Sequence, residues 1–239
     1  MIAQQIKPFD PFIKRLPPCL REPSPVLLCG CSGGWQRCKR LSDFAQRKTD
    51  RLGCPDDGDP DDGARDRFYL SKGHGPQAFY AVLAATGFID PATLDDFATT
   101  TSTLGHHPDR TLIRGVEIGS GSLGHGLPLA IGAYRAIAAK GLDTPRFFVL
   151  VGDAELDEGS NMEAIQVAGR IGMDRLTVIV IDNDSSTYGW SHDIGARFEV
   201  EGWVTSEVNG RDVDALVRVL DETHDRPHVV VAYTERKFS

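Results

Sequence analysis

The chain has 239 residues, a formal net charge of −8 and 41% hydrophobic residues. That length accommodates one sizeable α/β domain with its own core. The acidic balance argues against general affinity for nucleic acid, and no apolar stretch is long enough to span a bilayer, so we expect neither nucleic acid nor a membrane as a partner. Met1 to Pro18 has no signal-peptide hydrophobic region, so the expected compartment is the cytoplasm.

The first 54 residues differ in composition from the rest of the chain. They contain all five cysteines and no histidine, and ten Lys and Arg against four Asp and Glu. Three interpretations stay open: a zinc site, although C-x-C followed by longer gaps does not match the usual paired spacing; a disordered or divergent segment; or a frameshifted coding segment. We therefore divide the chain into an atypical segment, residues 1–54, and a domain, residues 55–239.

The first predicted elements of the domain lie beside two histidine-containing segments. Gln77 to Ala85 favours a helix and follows L-S-K-G-H-G-P, in which two glycines beside His74 permit an unusual backbone path. The segment L-G-H-H-P-D-R holds His106 and His107. Adjacent residues of an extended segment point to opposite sides, so a metal bound by both histidines is the weaker interpretation.

A glycine-rich segment, G-S-G-S-L-G-H-G at residues 119–126, precedes the next predicted helix. Leu127 to Ala139 is rich in alanine, and its larger apolar residues recur at helical spacing, which predicts a buried stripe. A glycine-rich segment before a helix is by itself weak evidence for any particular ligand.

A βαβ unit is predicted next. Arg146 to Val151 and Leu176 to Ile181 are short apolar runs rich in β-branched residues, as expected for parallel strands covered on both faces. Between them a crossover helix is predicted, with a sheet-facing stripe of Met162, Ile165, Ala168 and Ile171.

The end of the chain predicts two more strands and a helix. Gly202 to Val208 and Pro227 to Tyr233 fit strands, and Val213 to Thr223 fits a helix with Asp212 as its N-cap. The sequence thus alternates strands and helices in the manner of an α/β domain.

Asp153 and Asn183 lie just past the carboxyl ends of two neighbouring predicted strands, those of the βαβ unit. In open α/β sheets, ligands bind at the carboxyl ends of strands, and a helix beginning between Asp157 and Ser160 would direct free backbone N–H groups at an anion. Mg²⁺ accepts a carboxylate, an amide oxygen, a backbone carbonyl, waters and phosphate oxygens. The pattern indicates a site for a magnesium-bound diphosphate; the alternative is that both residues are ordinary turn residues.

Together these motifs resemble the diphosphate-binding half of a transketolase. The segment G-D-x(4)-E-G at residues 152–159, an Asn 30 positions after its Asp, S-K-G-H-G and G-S-G-S-L-G-H-G occur in the family's order between about Asp66 and Tyr233. The resemblance implies the α/β thiamine diphosphate-binding fold, a mostly parallel sheet with helices on both faces. It also implies thiamine diphosphate and Mg²⁺ as cofactors.

The resemblance implies a set of metal and diphosphate contacts. Asp153 and Asn183 would bind Mg²⁺ through their side chains, and Ser185 would bind it through its carbonyl. Ala154 stands where the family has a glycine that donates a backbone N–H to the diphosphate, and its methyl group limits close approach of the backbone.

The resemblance also implies catalytic and cofactor-binding residues. His74 would lie beside the diphosphate and the reacting carbon, and the family pattern G-H-P makes His107 the residue near the substrate's carbonyl and hydroxyl groups. Glu158 corresponds to a glutamate at the subunit interface, linked to the carboxylates around the aminopyrimidine. Gly121 would accept from the aminopyrimidine amine through its carbonyl, and Leu123 would support the bent cofactor.

The implied activity is transfer of a two-carbon ketol unit from a ketose donor to an aldehyde acceptor, with the cofactor supplying the carbanion chemistry. In this family a second domain binds the pyrimidine, and 239 residues leave no room for it. We therefore expect a split transketolase, in which a C-terminal subunit carries the pyrimidine-binding domain and the two chains form a heterotetramer.

Two other functions stay open. One is a non-catalytic cofactor-binding or assembly subunit, suggested by Ala154, by the lack of a family histidine in the first segment and by the chain's end at Ser239. The other is the E1 component of a 2-oxoacid dehydrogenase, which shares the magnesium–diphosphate pattern but not the S-K-G-H-G and G-H-H-P context. The donor, the acceptor and the pathway cannot be inferred from the sequence.

Overall fold

Five parallel strands organise residues 62–187, 189 and 193–235, the part of the chain that the computed structural model describes. The atypical segment, residues 1–54, lies outside these residues, so its three interpretations stay predictions. The strands are β1 (Arg67–Leu70), β2 (Phe147–Gly152), β3 (Leu176–Asp182), β4 (Val204–Asn209) and β5 (His228–Tyr233). They pair in the order β1-β2-β3-β5-β4, and every neighbouring pair is parallel.

Helices connect these strands, as parallel pairing requires. They are α1 (Pro76–Ala85), α2 (Gly126–Ala139), α3 (Gly159–Arg170), α4 (Ile194–Val200) and α5 (Val213–Asp221), with 3₁₀ turns at Pro91–Asp96 and Ala154–Asp157. Asp212 caps α5 by accepting from the Ala215 N–H at 3.0 Å, as its sequence position predicts. None of the helices among the described residues is long and apolar enough to cross a bilayer.

The core lies on both faces of the sheet. Strand β2 is buried along its whole length, and its side chains alternate between two clusters. Phe147, Val149 and Val151 pack with residues of α2, α3 and α4, whereas Phe148 and Leu150 pack with residues of α1 and α5. Because both faces are covered, the inner strands β2, β3 and β5 are largely continuous apolar runs rather than alternating ones. The predicted fold class is confirmed.

One predicted helix face is right for Ile165 and Ala168 but wrong for Met162 and Ile171. Helix α3 buries Asn161, Ala164, Ile165 and Ala168, while Met162 is half-buried and Ile171, just past the helix end, is 53% exposed. The helix is therefore rotated relative to the predicted stripe. The reason is a hydrogen bond. The Asn161 side chain donates to the Glu155 carbonyl at 2.7 Å, and this contact fixes Asn161 on the inner face of the helix.

Candidate functional site

Asp153 and Asn183 lie at the same edge of the sheet. Strands β2 and β3 pair in register up to Gly152 and Ile181, and the Asp153 N–H donates to the Ile181 carbonyl at 3.1 Å. Both polar side chains are 2% exposed, and they follow directly at the carboxyl ends of adjacent strands. The predicted juxtaposition of these residues is present in the structure.

The loop after β3 folds back onto the Asp153 carboxylate. The Ser185 N–H donates to Oδ2 at 2.5 Å, the Ser185 hydroxyl donates to Oδ1 at 2.6 Å, and the Ser186 N–H donates to Oδ2 at 3.1 Å. Ser185 thus lies against Asp153, as a shared ligand set would require. A carboxylate has about four acceptor positions, so three donors leave Asp153 with capacity for a cation.

The Asn183 amide oxygen tests whether a metal fits this place. Its Oδ1 is buried and has no hydrogen-bond partner among the described residues. A buried acceptor without a donor is unfavourable unless another group satisfies it. A hard cation would supply that partner, and one carboxylate with one amide oxygen suits Mg²⁺ bound jointly with phosphate oxygens. The donor set therefore fits the ion.

Negative charge accumulates around this edge. Burial raises the pKa of Asp182, the last residue of β3, and the nearby charges of Asp153 and Asp184 act in the same direction. No three His, Cys, Asp or Glu side chains within residues 62–235 that the structure describes form a metal-binding cluster. An ion here would therefore need oxygen donors beyond acidic side chains, such as an amide, a main-chain carbonyl and a phosphate.

Two predicted histidines from different loops face each other. The rings of His74 and His107 have centroids 5.8 Å apart, and both residues are exposed. His106 points elsewhere, with its ring edge-on to Phe97 at 5.6 Å. The expectation that His106 and His107 diverge is confirmed.

Glycines allow the loops beneath these histidines to approach closely. Gly73 has φ +73°, and a Cβ on it would lie 3.0 Å from the Gly121 backbone and 3.3 Å from the His107 ring. Gly121 has φ +125°, and a Cβ there would lie 3.2 Å from the same ring. The S-K-G-H-G and G-S-G-S-L-G-H-G segments thus meet at His107, because no side chain separates them.

Glu158 and Leu123 lie on the exposed side of the domain, next to the contact between the two glycine-containing segments. A Cβ on Gly124, which has φ +80°, would lie 2.6 Å from Glu158 Cβ, so Glu158 packs on the glycine-rich segment. Leu123 is 39% exposed and Glu158 is exposed as well. Ala154 begins the 3₁₀ turn after Asp153 and is half-buried.

Sequence reasoning missed one buried acidic residue, Glu155. It is 2% exposed, and burial raises its pKa, against the opposing effect of hydrogen bonds from Ser71, Gly124 and Gly152. The only local signal was an acidic residue next to Leu156, which is fully buried. Two of its partners, Ser71 and Gly124, lie far away in sequence, so no local pattern indicated these contacts.

The fold and the site define a class of protein: a parallel α/β domain with oxygen ligands at one sheet edge and two loop histidines that face each other. The family described as transketolase, thiamine diphosphate binding domain, matches residues 42–235. The chain therefore belongs to this family.

Individual relatives are similar to most of this chain. The chain is 38% identical over 181 residues to a protein from Actinobacillus succinogenes that is named as one subunit of an apulose-4-phosphate transketolase, covering 72% of this chain and 65% of that protein. It is 54% identical over 179 residues to a Rhodococcoides fascians protein named ferredoxin fas2, covering 74% and 59%. The chain thus spans about three-fifths of the length of these relatives.

The solved structure of transketolase from Leishmania mexicana has a TM-score of 0.67 and 26% identity, covering 82% of this chain and 35% of that one. The name ferredoxin has no counterpart in the site described above. All five cysteines precede residue 55, so residues 62–235 contain no thiolate ligands of the kind that hold iron–sulfur clusters.

Proposed function

We propose that the chain is the diphosphate-binding subunit of a thiamine diphosphate- and Mg²⁺-dependent transketolase. Its reaction would transfer a two-carbon ketol unit from a ketose donor to an aldehyde acceptor. The observation that carries the proposal is the buried Asn183 oxygen, which has no hydrogen-bond partner in the part of the chain that the structure describes, at the same sheet edge as the buried Asp153 carboxylate. The family membership and the relatives named as transketolases support the same activity.

The residues that would hold the cofactors are those that the resemblance implies, and the geometry of the sheet edge supports this assignment. Asp153, Asn183 and the main chain of Ser185 would hold Mg²⁺ and, through it, the diphosphate. The start of α3 and the glycine-rich segment lie together, because the Ser160 hydroxyl donates to the Gly124 carbonyl at 2.7 Å. Gly121, Leu123 and Ala154 would contact the cofactor from these segments. When bound, thiamine diphosphate supplies the carbanion chemistry of ketol transfer.

His74 and His107 would move protons at the substrate. Imidazoles titrate near neutrality and both accept and donate protons, so they suit transfer to and from ketose hydroxyl and carbonyl oxygens. Their exposure leaves the rings open to a small molecule. Glu158 would act from the subunit interface on the carboxylate network of the aminopyrimidine.

A partner subunit carrying the pyrimidine-binding domain would complete the enzyme as a heterotetramer. Relatives from two organisms are named as single subunits of a transketolase, which supports a second kind of chain. Apolar side chains near the glycine-rich segment are also exposed, with Leu123 at 39% and Leu129 at 52%. Exposed apolar groups beside a functional site are typical of a surface covered by a partner.

Calorimetry with thiamine diphosphate and Mg²⁺, with and without the partner subunit, tests this proposal. We expect binding that requires the metal and is lost in Asp153→Ala but kept in the control Asp225→Ala, whose side chain is 91% exposed. Turnover of a ketose by the reconstituted pair would establish the transferase.

The alternatives predict other results. Binding without turnover in the pair would indicate a cofactor-binding or assembly subunit, for which Ala154 is the supporting observation. Decarboxylation of a 2-oxoacid in place of ketol transfer would indicate an E1 component. Absence of any cofactor binding to the pair would overturn all three functions.

A further inference from the structure

The buried carboxylate of Glu155 lies between three segments of the domain. Its Oε1 accepts from the Ser71 hydroxyl and from the Gly124 N–H at 3.0 Å, and its Oε2 accepts from the Gly152 N–H at 3.3 Å. Ser71 follows β1, Gly124 belongs to the glycine-rich segment, and Gly152 ends β2. One side chain therefore joins the ends of two strands to a loop.

Ser71 extends this connection. Its oxygen also accepts from the Gly126 N–H at 3.0 Å, and a Cβ on Gly126 would collide with the Ser71 side chain. The glycine-rich segment is thus held at both Gly124 and Gly126, directly by Glu155 and through Ser71. Both amides belong to the turn that leads into α2, where Gly126 is the first residue.

Glu155 is itself held in place from the other side. Its carbonyl accepts from the Asn161 side chain at 2.7 Å, and Asn161 is fully buried on α3. The backbone and the side chain of Glu155 are therefore fixed independently. Because both are fixed, the position of the 3₁₀ turn that contains Glu155 determines the position of the glycine-rich segment.

We propose that Glu155 is a positioning residue that sets the placement of the S-K-G-H-G segment and the glycine-rich segment relative to Asp153. Ser71 lies three residues before His74, and Gly124 lies three residues after Gly121. The carboxylate thereby ties the segments that carry His74 and Gly121 to the turn that follows the metal ligand. This role rests on the proposed function, since it concerns the same cofactor site.

The chemistry requires a carboxylate at this position. An ionised carboxylate accepts on both oxygens and has no donor, so it satisfies three donors at once. Glutamine keeps one accepting oxygen but turns an NH₂ group toward one of the N–H or O–H donors, which then loses its acceptor. Glu155→Gln should therefore weaken the connection, and Glu155→Ala should remove it.

Hydrogen exchange of the cofactor-free chain tests this placement without relying on activity. In Glu155→Ala we expect the Gly124 and Gly126 amides, which donate to Glu155 and Ser71, to exchange at least about tenfold faster, while those of β3 keep their protection, because the loss is local. Glu155→Gln should lie between Ala and wild type. The matched control is Glu163→Gln, which removes an exposed carboxylate from α3.

Cofactor affinity provides the second measurement. We expect the Kd of the reconstituted pair for thiamine diphosphate with Mg²⁺ to rise about tenfold in Glu155→Ala. The reason is that the loosened glycine-rich segment must be ordered when the cofactor binds. The rise should be smaller in Glu155→Gln and absent in Glu163→Gln.

The outcomes separate the two proposals. Unchanged exchange of the Gly124 and Gly126 amides in Glu155→Ala, or equal acceleration of the β3 amides, would overturn the positioning role and leave Glu155 as an ordinary buried residue. Unchanged affinity in a loosened variant would overturn its role in cofactor binding. If the reconstituted wild-type pair binds no cofactor, the proposed function fails, and the exchange experiment alone decides on the connection. If Glu155→Ala does not fold, Glu155→Gln carries both measurements.

Discussion

The rings of His74 and His107 face each other with 5.8 Å between their centroids, although they belong to different loops. The pair forms only because the two loops approach each other closely. Gly73 and Gly121 lack side chains at the point of closest approach, and both have positive φ. The facing pair is thus a product of two glycine-containing segments that pack backbone to backbone.

This pair predicts how three histidine variants differ. His74→Ala and His107→Ala should each lower kcat of the reconstituted enzyme by about 10²–10⁴-fold, the usual contribution of a proton-transferring group. His106→Ala should have little effect, because that ring packs on Phe97 and points away from the pair. Steady-state turnover of a ketose donor measures all three. Equal losses in His106→Ala and His107→Ala would contradict the assignment.

The unpartnered oxygen of Asn183 predicts a separation between stability and metal binding. Asn183→Leu keeps the branched shape of the side chain and removes a buried acceptor that has no partner in the described part of the chain, so the metal-free protein should change in stability by no more than about 1 kcal/mol. Mg²⁺-dependent binding of thiamine diphosphate should weaken at least about tenfold because a ligand is lost. Denaturant unfolding and calorimetry give the two values.

Asp153 provides the comparison. Asp153→Leu should both abolish metal-dependent binding and destabilise the metal-free protein, because Ser185 and Ser186 lose their acceptor. A large loss of stability in Asn183→Leu together with unchanged affinity would exclude Asn183 as a ligand.

The sequence predicted four of the five described strands, missing the short β1, but it did not predict the arrangement between them. Continuous apolar runs identified β2 and β3, and parallel pairing then placed Asp153 and Asn183 at one edge. The order β1-β2-β3-β5-β4 could not be predicted, because the apolar runs of β3 and β5 offer similar pairing surfaces. The hydrophobic pattern identifies a strand. Which strands pair with it in the sheet depends on the packing of the whole domain.

Buried polar residues account for what the pattern missed. Glu155 hydrogen-bonds to Ser71 and Gly124, which are 84 and 31 positions away in sequence. Asn161 is buried because its amide holds the Glu155 carbonyl, and this contact rotates α3 away from the apolar stripe. Hydrophobic periodicity treats both residues as surface positions, so it could indicate neither contact.

The buried His228 predicts a loss of stability in acid. Burial, with a smaller effect of nearby His224, lowers the pKa of His228 from 6.5 to about 4. Its ring hydrogen-bonds to the Ser206 hydroxyl at 2.9 Å and lies edge-on to His224. As pH falls from about 6.5 to 4, the unfolded chain takes up a proton that the folded chain does not, so folding weakens across this window by at most about 3 kcal/mol.

The measurement is denaturant unfolding between pH 7.5 and about 4. His228→Gln retains a group that can hydrogen-bond to Ser206 but does not titrate, so its stability should fall less steeply over that window. Parallel pH profiles of the two proteins would show that other groups cause the acid loss.

Two glycines in helices predict substitutions of opposite sign. A Cβ on Gly169, near the end of α3, would collide with the Glu201 carbonyl just after α4, and the rigid main chain there cannot give way easily. Gly132→Ala, in the interior of α2, meets nothing within 4 Å and should stabilise the fold by about 0.5–1 kcal/mol through helix propensity. Gly169→Ala should instead destabilise it by about 1–3 kcal/mol. Thermal unfolding compares the two, and stabilisation by Gly169→Ala would show that α3 and the turn after α4 are packed less closely than the structure has them.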